Sequence, residues 1–128
     1  MNQKVREVVE FENHFSEFLK QQPVKVQNKI FKIIEAIETL ERVPSNYLKI
    51  LVGTNGLYEA RIHLGSDIWR VFCFFDNGKL VILLNGFAKK TQKTPKSEIE
   101  KALQLMKKYY TGKNKKRYEH ERLERNKR

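Results

Sequence analysis

The stretch Leu57-Tyr58-Glu59-Ala60-Arg61-Ile62-His63-Leu64-Gly65-Ser66-Asp67-Ile68-Trp69-Arg70-Val71-Phe72-Cys73-Phe74-Phe75-Asp76-Asn77-Gly78-Lys79 decides the fold. Its apolar residues recur with period two, the mark of strands, and glycines at 65 and 78 punctuate them. Asn77-Gly78 is the strongest hairpin signal in the chain, because a type I′ turn needs positive φ at both central residues. A Gly65-Ser66 turn sets Leu64 against Asp67, Ile62 against Trp69, Arg61 against Arg70 and Ala60 against Val71, and a four-residue loop there preserves the pairing. Tyr58, Ala60, Ile62, Leu64, Trp69, Val71, Cys73 and Phe75 then share one face, and Glu59, Arg61, His63 and Arg70 lie on the other. Pairing Asp76 with Lys79 across the second turn places Asn85 beside Arg70 and continues that second face through Phe87 towards Lys89. The same register puts Phe72, Phe74, Val81 and Leu83 beyond the cationic patch.

Outward from this hairpin pair, the strands fall near 47–51, 57–64, 68–76 and 79–87. Val5 to Phe11 reads as a short strand or lead-in. Phe11, Phe15, Phe18 and Leu19 mark one face of a helix over 12–22 that Pro23 stops. Val26, Ile30, Ile33, Ile34, Ile37 and Leu40 form the stripe of a second helix over 24–42, with Pro44 beyond its end. Ser97-Glu98-Ile99-Glu100 has the form of a capping box opening a helix over 98–110, which Gly112 ends. The expected architecture is α+β: two N-terminal helices packed on a twisted antiparallel β-meander sheet, then a C-terminal helix. Residues 1–112 make one domain, and 113–128 a basic tail that is either a solvated helix or disordered.

The 128 residues fit one domain, against a usual size of roughly 100–200. A content of 40% hydrophobic residues argues for a folded core rather than a disordered chain. Met1-Asn2-Gln3-Lys4 lacks the apolar stretch of a signal peptide, and no apolar run approaches the roughly 20 residues that span a bilayer. The single cysteine cannot form an internal disulfide, and no Cys/His cluster has a zinc spacing. The expectation is a cytoplasmic protein without metal, cofactor or membrane partner. A net charge of +11, from 26 Lys+Arg against 15 Asp+Glu, favours polyanionic partners. The last sixteen residues supply +5 of it, so the body is basic too.

Two arginines directly opposite on neighbouring strands repel by some tenths of a kcal/mol to about 1. An anion between Arg61 and Arg70 relieves this, and a guanidinium fork suits phosphate. The alternative is that Arg61 pairs with Glu59 or a helix carboxylate while Arg70 is solvated, and the pattern leaves both open. Gly86-Phe87-Ala88-Lys89-Lys90-Thr91-Gln92-Lys93-Thr94-Pro95-Lys96 adds four lysines where the chain leaves the sheet and enters a helix, so lysines and helix N-terminus can both face phosphate. Phe87 offers a base-stacking surface or a core residue. His63 is the one histidine on the cationic face, and Cys73 lies on the core face as packing. No Cys/His/Asp constellation, Gly-rich phosphate loop or carboxylate pair at useful spacing is present, which argues against a protease, metal-dependent nucleotidase or glycosidase.

Leu57-Tyr58-Glu59-Ala60-Arg61, Trp69-Arg70-Val71-Phe72 and Leu83-Leu84-Asn85-Gly86-Phe87-Ala88-Lys89-Lys90-Thr91-Gln92-Lys93-Thr94-Pro95 together resemble the phage-derived branch of the RelE/HigB toxin superfamily over roughly residues 5–110. The resemblance implies a RelE-like fold and a type II toxin: a metal-independent endoribonuclease that cleaves mRNA on the ribosome, inhibits translation and is neutralised by a cognate antitoxin, expected to be a helix-turn-helix protein. It matches Arg61, Arg70 and Lys90, with Lys89 beside them, to catalytic positions. Several relatives use a tyrosine or histidine near the C-terminal end of the fold, which makes Tyr109 and Tyr110 the nearby candidates. The candidate RNA-binding residues are His63, Asn85, Phe87, Lys93 and Lys96. A ParE-like gyrase poison, a noncatalytic nucleic-acid-binding module and a phage host-takeover protein with a degenerate site are the competing readings.

Overall fold

The computed structural model describes residues 3–89 and 93–126, the side chains of Lys89 and of 114–126 excepted. The element order is β1 (Glu7–Glu10), α1 (His14–Lys20), α2 (Val24–Thr39), β2 (Leu48–Ile50), β3 (Leu57–Leu64), β4 (Asp67–Asp76), β5 (Leu80–Lys89) and α3 (Lys96–Asn126). One five-stranded sheet has the order β1-β5-β4-β3-β2. The fold is the expected α+β arrangement, with one addition. The N-terminal lead-in is a true strand, and it pairs parallel to β5, Glu7 with Leu80 through Glu10 with Leu83, so the sheet is mixed. Parallel neighbours need a long crossover, and the intervening helices and strands supply it.

Alternation decides what each face buries. Ala60, Ile62, Val71 and Cys73 pack with Phe15 and Phe18 of α1 and with Val26, Ile30, Ile33 and Ile37 of α2. Leu57, Phe72 and Phe74 face the opposite way and pack under Ala102, Leu105 and Met106 of α3. Arg6, just before β1, donates to the carbonyls of Ile37 at 3.0 Å, Leu40 at 2.6 Å and Glu41 at 2.5 Å. It thereby satisfies the free carbonyls at the end of α2 and sets a positive charge against the negative end of that helix. Among the described residues no helix is long and apolar enough to cross a membrane.

The β3–β4 register is the expected one residue for residue, with Arg61 opposite Arg70 and Leu64 opposite Asp67. The β4–β5 register differs. Asp76 pairs with Leu80, not Lys79, because the loop holds three residues, with Asn77 and Gly78 both at positive φ (61° and 71°). A one-residue slip turns every side chain over. Val81 and Leu83 therefore face α1 and α2, while Ile82 and Leu84 face α3. The sheet then corrects itself: between Val71/Gly86 and Cys73/Leu83 the strand β5 carries one extra residue, so Leu84 and Asn85 together oppose Phe72. Beyond this bulge Phe87, not Asn85, stands opposite Arg70. Gly86 follows the bulge, and a Cβ there would lie 2.5 Å from the Phe18 ring, so only glycine lets α1 seat this closely on β5.

The C-terminal helix also differs from expectation at both ends. It begins at Lys96, directly after Pro95, whose carbonyl accepts from the amides of Glu98 and Ile99, so Ser97 lies inside the first turn rather than at a cap. It then runs through Gly112 to Asn126. Gly112 lacks the positive φ of a helix-ending glycine. The helical alternative for the tail thus holds over its described part.

Candidate active site

The cationic face forms where β3 and β4 meet the N-terminal end of α3. Glu59 and Arg61 are two residues apart on β3 and so share a face, and Arg70 stands opposite Arg61 on β4. The repulsion between the arginines is relieved internally. Glu59 Oε1 accepts from Arg61 Nε at 3.0 Å and from Arg70 Nη1 in a close ion pair. Glu59 Oε2 accepts from the Thr94 hydroxyl at 2.5 Å, and that hydroxyl accepts from Arg70 Nη1 at 3.1 Å. The pairing of Arg61 with Glu59 is thus present. Arg70 is not solvated but among the most buried side chains in the chain.

Exposure sorts these groups. The Glu59 side chain is 0% exposed and that of Arg70 2%, whereas that of Arg61 is 26% exposed. One carboxylate against two guanidiniums leaves an excess positive charge, and Arg61 carries it to the surface. Among the described residues, the side chain of Arg61 makes its one hydrogen bond through Nε, and its terminal nitrogens make none. A guanidinium anchored through Nε with its fork available suits a phosphate, which binds two parallel N–H groups.

The other candidates surround this cluster to different degrees. His63 is exposed and next to Arg61 on that face of β3, opposite Ile68, which itself pairs with Lys89 at the end of β5. Lys89 thus reaches the same end of the sheet through its backbone, while its side chain is outside the described residues, as is the whole of Lys90. Lys93 and Lys96 are exposed on either side of Thr94-Pro95. Phe87 is half-buried and packs on Phe72 with ring centroids 5.5 Å apart, so it serves the core under α3. Asn85 is buried at the bulge and donates to Glu98 of α3 at 3.3 Å. Its Oδ1 has no hydrogen-bond partner among the described residues.

Tyr109 and Tyr110 stand elsewhere. The Tyr109 hydroxyl donates to Asp76 at 2.6 Å, and Asp76 is six residues along β4 from Arg70, or about 20 Å at the usual strand rise. Burial, then the Asp76 carboxylate, pushes the Tyr109 phenol up to about 12. Cys73 is fully buried, and burial pushes its thiol up to about 12, which fits packing rather than nucleophilic chemistry. Among the described residues no cluster of three His, Cys, Asp or Glu side chains could hold a metal ion. Pattern reading did not bring Thr94 and Glu98 to the site. Both belong to the turn into α3, which reaches the cluster only through the tertiary fold.

The sequence profile described as phage derived protein Gp49-like matches residues 17–107, from α1 into the part of α3 that covers the sheet. No curated protein matches the chain. Among solved structures, the chain is similar to one chain of the crystal structure of the archaeal RelE-RelB complex from Pyrococcus horikoshii OT3. The TM-score is 0.51 at 20% identity, over 70% of this chain and 99% of that one. The fold is therefore RelE-like.

Proposed function

Because the chain belongs to the phage-derived Gp49-like family and carries a RelE-like fold, we propose that it is the toxin of a type II toxin–antitoxin system, acting as an endoribonuclease on mRNA held by the ribosome. The observation that supports this most is the partly exposed Arg61 guanidinium, fixed on the sheet by the buried Glu59–Arg70 pair. RNA brings its own nucleophile. The protein has to place the 2′-hydroxyl in line, accept its proton as the new P–O2′ bond forms, neutralise charge on the pentacoordinate phosphorane and give a proton to the 5′-oxygen as the P–O5′ bond breaks.

In this reading Arg61 takes the scissile phosphate through its terminal nitrogens. Arg70 has its catalytic share as the buried cation that holds Glu59 and adds positive potential beneath the phosphate. Lys90 and Lys89 are the candidate proton carriers: neighbouring cations make a lysine less basic by disfavouring its charged form. His63, Lys93 and Lys96 line the path of the RNA backbone as phosphate contacts. The partner is a cognate antitoxin of helix-turn-helix type, drawn by the same excess of positive charge.

The test is cleavage of one mRNA, free and bound to a programmed ribosome, by the purified chain and by Lys90→Ala. The expected result is cutting of the bound message by the wild type, little cutting of the free message, and a loss of about a hundredfold or more in the variant. Efficient cutting of naked RNA contradicts ribosome dependence, and full activity of Lys90→Ala removes that lysine from the chemistry.

A further inference from the structure

The two oxygens of Glu59 are divided among three donors. Oε1 receives both arginines, and Oε2 receives the Thr94 hydroxyl. Arg70 Nη1 also points at that hydroxyl oxygen, so its single proton is committed to Oε2. Glu59, Thr94 and Arg70 therefore close a ring of hydrogen bonds in which none can rotate alone. Pro95 presets the arrangement, since a residue before proline is confined to extended backbone. The consequence falls on Arg61, whose one side-chain hydrogen bond among the described residues is to the carboxylate that Thr94 fixes.

We infer that Thr94 is a positioning residue: its hydroxyl sets the rotation of the Glu59 carboxylate and, through it, the direction in which Arg61 meets the substrate phosphate. The inference rests on the ribonuclease reading for its catalytic consequence, and on the hydrogen-bond ring alone for its structural one. Thr94 touches no reacting atom. Its loss acts on the rate of the bound complex rather than on the formation of that complex.

The experiment compares Thr94→Val, which keeps the shape and loses the hydroxyl, with Thr94→Ser, which keeps the hydroxyl. Single-turnover cleavage of ribosome-bound mRNA and the affinity for the ribosome are measured separately. Thr94→Val is expected to cut about tenfold or more slowly with affinity within about twofold of wild type, and Thr94→Ser to restore most of the rate. In parallel, the Nε–Hε resonance of Arg61 in 15N-labelled protein is expected to move in Thr94→Val and return in Thr94→Ser. If Thr94→Val does not fold, Thr94→Ala against Thr94→Ser repeats the comparison across a single oxygen. Wild-type rate in the hydroxyl-free variant, or an unmoved Arg61 resonance, overturns the inference. A wild type that cuts nothing defeats the ribonuclease reading instead, and the resonance still decides whether Thr94 positions Arg61.

Discussion

Two buried carboxylates interrupt the α3 side of the sheet, and they are managed differently. Asp76, near the far end of β4, accepts from the Tyr109 hydroxyl at 2.6 Å and from Lys113 Nζ at 2.8 Å. One acid on β4 meets one cation and one phenol, both brought by α3, and the charges cancel. Glu59 meets two guanidiniums and one hydroxyl, and the charges do not cancel. The first cluster is a staple that ties a helix to a strand. The second stores a surplus of positive charge and exposes it through Arg61. The balanced cluster ties the fold together, and in the proposed function the overcompensated one meets the RNA phosphate through Arg61.

The largest effect expected from this contrast is on Glu59. Glu59→Ala leaves Arg70 buried without its carboxylate, and breaking a buried pair this way costs about 3–5 kcal/mol, to be read from urea unfolding. Arg61→Ala is the complement. Its side chain is partly exposed, so unfolding stability should change by about 1 kcal/mol or less. Cleavage of ribosome-bound mRNA should fall by about a hundredfold or more, as when a transition-state charge stabiliser is lost. If both variants lose stability and activity in parallel, the division between structural and functional cation disappears.

The sequence carried this contrast only in part, for reasons that can be named. The β3–β4 register was legible because a two-residue turn fixes it and because Glu59, Arg61 and His63 alternate with apolar residues along β3. The β4–β5 register was not. Leu80-Val81-Ile82-Leu83-Leu84 is apolar at every position because both faces of this strand are covered, so no alternation reports the slip of one residue or the bulge that repairs it. The cationic face and Glu59 were visible as a same-face pattern, but the sharing of one carboxylate by two arginines and Thr94 depends on where the turn into α3 falls. Gly112 read as a helix stop because its φ is not encoded by its identity, and the structure keeps it helical.

The smaller effects lie at the staple. Asp76→Asn should cost about 1–3 kcal/mol of stability and leave cleavage untouched. Lys113 first, and then Tyr109, hold the Asp76 carboxyl below its usual 3.8. Its stabilising contribution is therefore present above 3.8 and lost as pH falls through the lowered folded value, a limb that Asp76→Asn should lack. Tyr109 works in the opposite sense. With its phenol raised from 10.0 to about 12, its contribution is full below 10 and is lost as pH rises towards 12, and Tyr109→Phe should flatten that alkaline limb in thermal melts.

The most direct test of the central claim is induced expression of the wild type and Arg61→Ala in a bacterial host, with mRNA 5′ ends mapped genome-wide. The expected result is growth arrest with breaks inside translated sequence for the wild type, and neither for the variant at equal soluble protein. Breaks that persist in Arg61→Ala, or arrest by the wild type with mRNA intact as a gyrase poison would produce, contradict the account.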